Sequence, residues 1–282
     1  MAKQKIILSK ELPGQIVSIP EELKSKSYYK YLQVPFEDIP ADLRASLTSF
    51  KGTKEEALEP EDRTKLFDVQ RWPKEDGVYP LKRGGLLVAS NVKLPHMTAE
   101  ALNWWGAWHA IDPLRYALWD PQDHYDIKIS EDDRKRILDP TIPDAEKLWG
   151  LHHHVLESLD QDEPTSMDMQ FLNPFDYGYD KSMFGTDRCL GMLSAKTVMG
   201  GKLPVFMTEV CCIGEDGVLE IRLRFWLGYE IRTDGTVKCK IPRFVKIPQE
   251  IAKSLIIHNH REYRHLDKFL MDLYAEEKDN WA

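Results

Sequence analysis

Residues 248–274 read PQEIAKSLIIHNHREYRHLDKFLMDLY. At about 100° per residue, Ile251, Leu266, Phe269, Leu270 and Leu273 fall within about 60° of Leu255. This is the buried stripe of one long helix, opened near Pro248, a residue suited to the first helical turn. His258 lies to one side of the stripe and Glu262 close to its centre, one turn apart. His260, Arg261, Arg264, Asp267 and Lys268 point toward the opposite face, and His265 sits on the edge. An inward histidine is unremarkable, but an inward carboxylate is costly unless it is paired, protonated or bound to a cation. A His and a Glu four residues apart can place two ligand atoms on one metal ion. A buried Glu paired with an Arg or His from a sheet explains the same pattern.

The sequence ahead of this helix reads mostly as strands. GGLLVASNVKL (84–94) is a strand, and MTAEALNWWGAWHAI (97–111) is a helix with Thr98 as its N-cap. LRYALW (114–119), LWGLHHHVLESL (148–159), MDMQFLN (167–173), CLGMLSAKTVM (189–199), LPVFMTEVCCIG (203–214), VLEIRLRFWLGYEI (218–231) and VKCKIPRFV (237–245) follow as strands. GEDG and RTDG supply turn chemistry between the last ones. A run of strands closed by a long helix predicts an α+β fold. The curved antiparallel sheet holds the helix against its concave face, and the two enclose a pocket. Residues 1–77, rich in Lys, Glu and Pro, read as a helical, loop-rich extension, and 78–282 as the main domain. The boundary falls in the turn-rich RWPKEDGVYP (71–80).

The chain of 282 residues has a net charge of −8 and no basic face, so nucleic acid and anionic membrane surfaces are not expected partners. No run approaches the ~18 apolar residues of a membrane span. The apolar run at residues 6–8 is too short for a signal sequence, so a cytoplasmic location is expected. The four cysteines, Cys189, Cys211, Cys212 and Cys239, form no CxxC pair and read as reduced, structural thiols.

Further ligands for His258 and Glu262 must come from the sheet. In LHHHVLESL (151–159), His153, Val155 and Glu157 share one face of a strand, and His152 and His154 the other. WWGAWHAIDP offers His109 and DPQDHYDI offers His124, and spacing alone does not choose between them. Trp104, Trp105, Trp108 and Trp119 read as core, and serve equally as the walls of an aromatic pocket.

WWGAWHAIDPLRYALWDPQDHY, GLHHHVLE, RLRFWLGYEI and HNHREYRHL, in this order over roughly residues 80–275, resemble the phloretin hydrolase and 2,4-diacetylphloroglucinol hydrolase family. The resemblance implies a helix-grip, Bet v 1-like domain with a small N-terminal helical extension. It implies Zn2+-dependent hydrolysis of the carbon–carbon bond between an acyl group and a phenolic ring, with a small aromatic ketone as substrate. The family's two histidines and two glutamates map onto His124, Glu157, His258 and Glu262. His124 is preferred to His109 because Tyr116, eight residues upstream, matches the tyrosine that the family uses at the substrate. Glu157 and Glu262 are the candidate bases. The family's substrate-reading histidine and tyrosine fall near Thr208 and Leu223, and neither residue matches. Trp226 and Tyr229 complete the substrate-binding candidates. The metal site thus resembles the family's, whereas the phenol-reading groups differ. This leaves two other readings: a non-hydrolytic catalyst or ligand carrier on the same scaffold, and a non-haem Fe(II) enzyme. Trp- and Pro-rich arms often mediate dimers, so a homodimer is a further expectation.

Overall fold

The computed structural model describes residues 19–68, 75–160, 163–242 and 244–281. The apolar run at 6–8 and the turn residues 71–74 lie outside the described residues. Ten strands are present among those described: β1 (Gly77–Pro80), β2 (Leu86–Lys93), β3 (His124–Lys128), β4 (His152–Glu157), β5 (Thr165–Leu172), β6 (Gly191–Met199), β7 (Leu203–Ile213), β8 (Leu219–Leu227), β9 (Tyr229–Ile231) and β10 (Val237–Cys239). The helices are α1 (Glu21–Lys24), α2 (Ala41–Ser49), α3 (Ala99–Trp108), α4 (Pro113–Trp119), α5 (Glu131–Leu138), α6 (Gln249–Leu266) and α7 (Leu270–Glu277).

Eight strands form one antiparallel sheet in the order β1-β2-β8-β7-β6-β5-β4-β3, and β9 and β10 form a separate hairpin. α6 lies against β1, β2 and α4. This is the expected helix-grip arrangement, and its cause is visible in the strand alternation. In β7 and β8 one set of residues (Met207, Glu209, Cys211, Leu223, Phe225) faces an interior cavity. The alternate set (Phe206, Val210, Cys212, Trp226) packs in a second core with Leu58, Leu66, Tyr177 and Tyr179. The sheet is therefore covered on both faces. The GEDG turn closes as expected: Gly214 N donates to Val218 O at 2.8 Å, and Gly217 takes the φ of +79° that its turn requires.

Three expectations are corrected. LRYALW is not a strand but the helix α4, because Asp112 accepts from the backbone N–H of Leu114 and Arg115 and Pro113 occupies the first turn. The strand lies just beyond it, at β3. The C-terminal helix is interrupted at residues 267–269 before α7. His260, Arg261 and His265 are buried rather than facing solvent or an edge. His260 Nε2 lies 3.0 Å from Asp76, and Phe36 from the N-terminal segment packs on the rings of His265 and the guanidinium of Arg261. A second layer covers that side of α6.

Candidate active site

The cavity between the sheet and α6 encloses about 180 Å³. Its lining includes Trp105, Trp119, Met169, Phe171, Leu223 and Phe225, together with one cluster of ionisable side chains. Four elements supply that cluster: α4 gives Tyr116, β3 gives His124, β4 gives Glu157, and α6 gives His258 and Glu262. Along β4 the burial alternates as read from sequence, with His153, Val155 and Glu157 toward the cavity and His152 and His154 outward.

Each imidazole is oriented by its outer nitrogen. His124 Nδ1 donates to the Tyr116 carbonyl at 3.1 Å, and its ring stacks on Tyr116 at 4.0 Å between centroids. His258 Nδ1 lies 3.2 Å from an Asp123 carboxylate oxygen. Both bonds place the proton on Nδ1, because a carbonyl and a carboxylate only accept. The two Nε2 atoms then face each other at 3.4 Å. Glu262 Oε2 stands 3.4 Å from His258 Nε2 and 3.5 Å from His124 Nε2. Glu157 Oε2 is 3.9 Å from His124 Nε2 and accepts from the Tyr116 phenol.

Three ligand-type side chains, His124, His258 and Glu262, converge here, with Glu157 beside them. The spacing fits one cation: two donors about 2.05 Å from a tetrahedral zinc stand about 3.3 Å apart. His124, His258 and Glu262 meet that spacing closely, and Glu157 is the looser fourth member. The electrostatics point the same way. Burial pushes Glu262 well above the ordinary carboxylate range, with the charge of Glu157 adding to it against the pull of His258. Burial likewise raises Glu157, although His258 and the Tyr116 hydrogen bond oppose this. Burial draws His258 down, but Glu262, Asp123 and Asp120 outweigh it and carry it up to about 10. An added positive charge at the centre relieves all of these demands.

Asp120, Asp123 and His258 make a second close group of ligand-type atoms. That group already holds a cation, since Arg261 bonds both carboxylates, at 3.0 Å to Asp120. Burial opposes ionised Asp123, yet the hydrogen bond and charge of His258, with Arg261 and Ser158, hold it well below the usual range. Asp123 thus orients His258 from behind while Arg261 neutralises it.

The remaining sequence candidates divide. Leu223 lines the cavity. Thr208, Trp226 and Tyr229 lie on the other face of the sheet: Thr208 bonds the Tyr179 and Ser194 hydroxyls, Trp226 Nε1 donates to Leu58 O, and Tyr229 packs in the outer core. They do not reach the cavity, because alternation turns residues 208 and 226 away from it. His109 lines the cavity but stands apart from the cluster, donating from Nδ1 to Trp105 O at 2.8 Å. His153 Nε2 is buried without a hydrogen-bond partner among the described residues. Trp105 and Trp119 wall the cavity, whereas Trp104 and Trp108 stack in the core beneath it. All four cysteines are free.

Sequence reasoning missed Asp120, Asp123, Arg261, Glu209 and Tyr263. The signal for Glu209 was available, since alternation in MTEV sets it on the face of Met207 and Cys211. Glu209 lines the cavity and accepts a 2.6 Å hydrogen bond from the Tyr263 phenol.

The chain is 33% identical to the phloretin hydrolase of Eubacterium ramulus, over 95% of this chain and 97% of that one. It is 24% identical to a 2,4-diacetylphloroglucinol hydrolase of a Pseudomonas species, over 90% and 89% respectively. It is 25% identical to the enzyme of the same name from Pseudomonas protegens, over 90% of this chain and 85% of that one. Residues 58–275 match the model of the DAPG hydrolase PhiG domain, a span that contains every member of the cluster. The chain belongs to the DAPG hydrolase PhiG domain family, together with phloretin hydrolase and the 2,4-diacetylphloroglucinol hydrolases.

Proposed function

We propose that the protein is a zinc-dependent hydrolase that cleaves the carbon–carbon bond between an acyl group and a polyhydroxylated aromatic ring. The observation that carries this reading is the convergence of His124, His258 and Glu262 at tetrahedral-edge spacing, with Glu157 3.9 Å from His124, on an apolar, aromatic cavity. The relatives' names supply the substrate class, phloretin and 2,4-diacetylphloroglucinol.

A zinc ion held by these four residues supplies Lewis acidity toward a carbonyl and lowers the pKa of water toward ~7. The rest is the work of the chain. Trp105, Trp119 and Phe225 seat a flat ring and exclude bulk water. Tyr116, placed beside His124, turns its phenol O–H from Glu157 to hydrogen-bond a substrate oxygen, keeping its proton, and so fixes the acyl group. Glu157, the least tightly grouped of the four, takes a proton from the attacking water. Overall, the hydroxyl of water joins the acyl carbon and the carbon–carbon bond breaks. Its electron pair enters the ring, and a proton replaces the acyl group there. Hydroxyls on the ring make this feasible by spreading the charge onto oxygen.

The test is anaerobic incubation of the zinc-loaded protein with an acylated trihydroxybenzene in oxygen-18 water. Free carboxylic acid carrying one labelled oxygen and the deacylated phenol are expected. Tyr116→Phe is expected to lower kcat/KM by on the order of 10²-fold at unchanged metal content. Turnover that requires O₂, or that releases no acid, points to the iron or the non-hydrolytic reading instead.

A further inference from the structure

The sheet wall formed by β6, β7 and β8 is apolar where it meets the cavity, through Leu193, Met207, Cys211, Leu223 and Phe225, with one exception. Glu209 is the only carboxylate that the described residues of these strands bring to the cavity. Its direct partner across the sheet is Leu223, which offers it no hydrogen bond. It is held from above by Tyr263 of α6, whose phenol donates to Oε2. No donor to its other oxygen is found among the described residues.

Position decides what this carboxyl can meet. β7 and β4 are separated by β6 and β5. Glu209 pairs with Leu193 on β6, a line that runs past the Leu172 end of β5, whereas Glu157 pairs with Thr165 at the other end of β5, so the two carboxyls lie three strands apart and toward different ends of the sheet. Glu209 therefore stands on the wall opposite the metal-type cluster. A ring whose acyl oxygen lies at the cluster presents to Glu209 the edge farthest from the acyl group. Burial pushes the Glu209 carboxyl up to about 7 against the pull of the Tyr263 hydrogen bond, so it can hold or release a proton near neutrality.

We propose that Glu209, oriented by Tyr263, hydrogen-bonds the hydroxyl para to the acyl group and selects rings that carry it. The inference rests on the function proposed above and names the ring pattern that site accepts. A hydroxyl there donates to the free oxygen of Glu209, and a ring without one leaves a buried carboxyl unsatisfied. When the carboxylate takes the hydroxyl proton, the O–H electron pair moves into the ring and builds charge at the acyl-bearing carbon. The same proton returns to the ring oxygen after the bond breaks, so Glu209 ends as it began.

The experiment compares the zinc-loaded wild type with Glu209→Leu and Tyr263→Phe. Calorimetry measures the binding of two aryl ketones, an acetylated trihydroxybenzene and its analogue lacking the para hydroxyl, and kcat/KM is measured alongside. The wild type is expected to prefer the trihydroxy ketone by about 10- to 100-fold. Glu209→Leu is expected to erase that preference while binding the para-deoxy ketone at least as well as the wild type. Tyr263→Phe is expected to reduce the preference in part. Equal wild-type affinity for the two ketones, or a preference that survives Glu209→Leu, overturns the inference. Selective binding without hydrolysis upholds the inference and overturns the hydrolytic reading.

Discussion

Both imidazoles of the cluster are committed before any ion arrives. The Nδ1 atoms of His124 and His258 are engaged by the Tyr116 carbonyl and by Asp123, so it is Nε2 of each ring that faces the cluster. Sequence made part of this legible. Helical phase put His258 and Glu262 on the inner side of α6, and strand alternation put Glu157 beside them. The choice of His124 over His109 needed a resemblance, because what separates them is the distance to His258 and not any local pattern. Thr208 and Glu209 show the reverse case: a one-residue difference in register turned a residue of interest to the wrong face. Glu209 also yields a pH prediction. Its folded pKa is raised from 4.5 to about 7, chiefly by burial. Below the lower value it is protonated in both states and adds no penalty. As pH rises through the interval, the unfolded carboxyl ionises while the folded one does not, and the folded state loses relative stability. Glu209→Gln lacks that loss. Urea unfolding at about pH 5 and about pH 8 is expected to show the stability difference shifting in favour of the variant at the higher pH. A difference independent of pH contradicts the burial assigned to this carboxyl.

At the scale of elements, α6 is amphipathic in sequence and buried almost all round in the structure. Its outer side carries Arg261, which a helical wheel assigns to solvent. The sequence could not show that Asp120 and Asp123, in the turn between α4 and β3, would meet it there. That turn exists because Asp112 and Pro113 start a helix where apolar alternation suggests a strand, and local capping prevailed over pattern. Arg261, Asp120 and Asp123 form a fully buried charge group directly behind His258. Removing the guanidinium leaves two buried carboxylates with only His258 as a neighbouring cation. Arg261→Ala is therefore expected to destabilise the fold by about 3–5 kcal/mol in chemical denaturation, and Arg261→Lys to recover only part because it lacks the planar fork. A loss below about 1 kcal/mol would show that the group is solvated and does not brace the site.

For the whole molecule, the α+β class and the sheet gripped by a C-terminal helix follow from the order of patterns: strands, hairpin turns, then one long apolar stripe. What the order did not reveal is how the N-terminal segment is used. Tyr28, Tyr31, Ile39 and Leu47 join the same core as α6, α7 and the inner face of β8. This placement buries the face of α6 that was expected to meet solvent, and it stiffens the helix that carries half of the cluster. The charged and polar texture of residues 20–65 hid these few anchors, since they lack helical or strand periodicity. None of the described helices is long and apolar enough to cross a membrane.

The central claim, that four side chains from three elements close on one metal ion, is tested most directly by elemental analysis of purified protein. The wild type, titrated with zinc and desalted, is expected to retain about one equivalent per chain. The His258→Ala, Glu262→Ala double variant, with an unchanged circular dichroism spectrum, is expected to retain less than about a tenth of that. Equal retention by the two proteins would contradict the account.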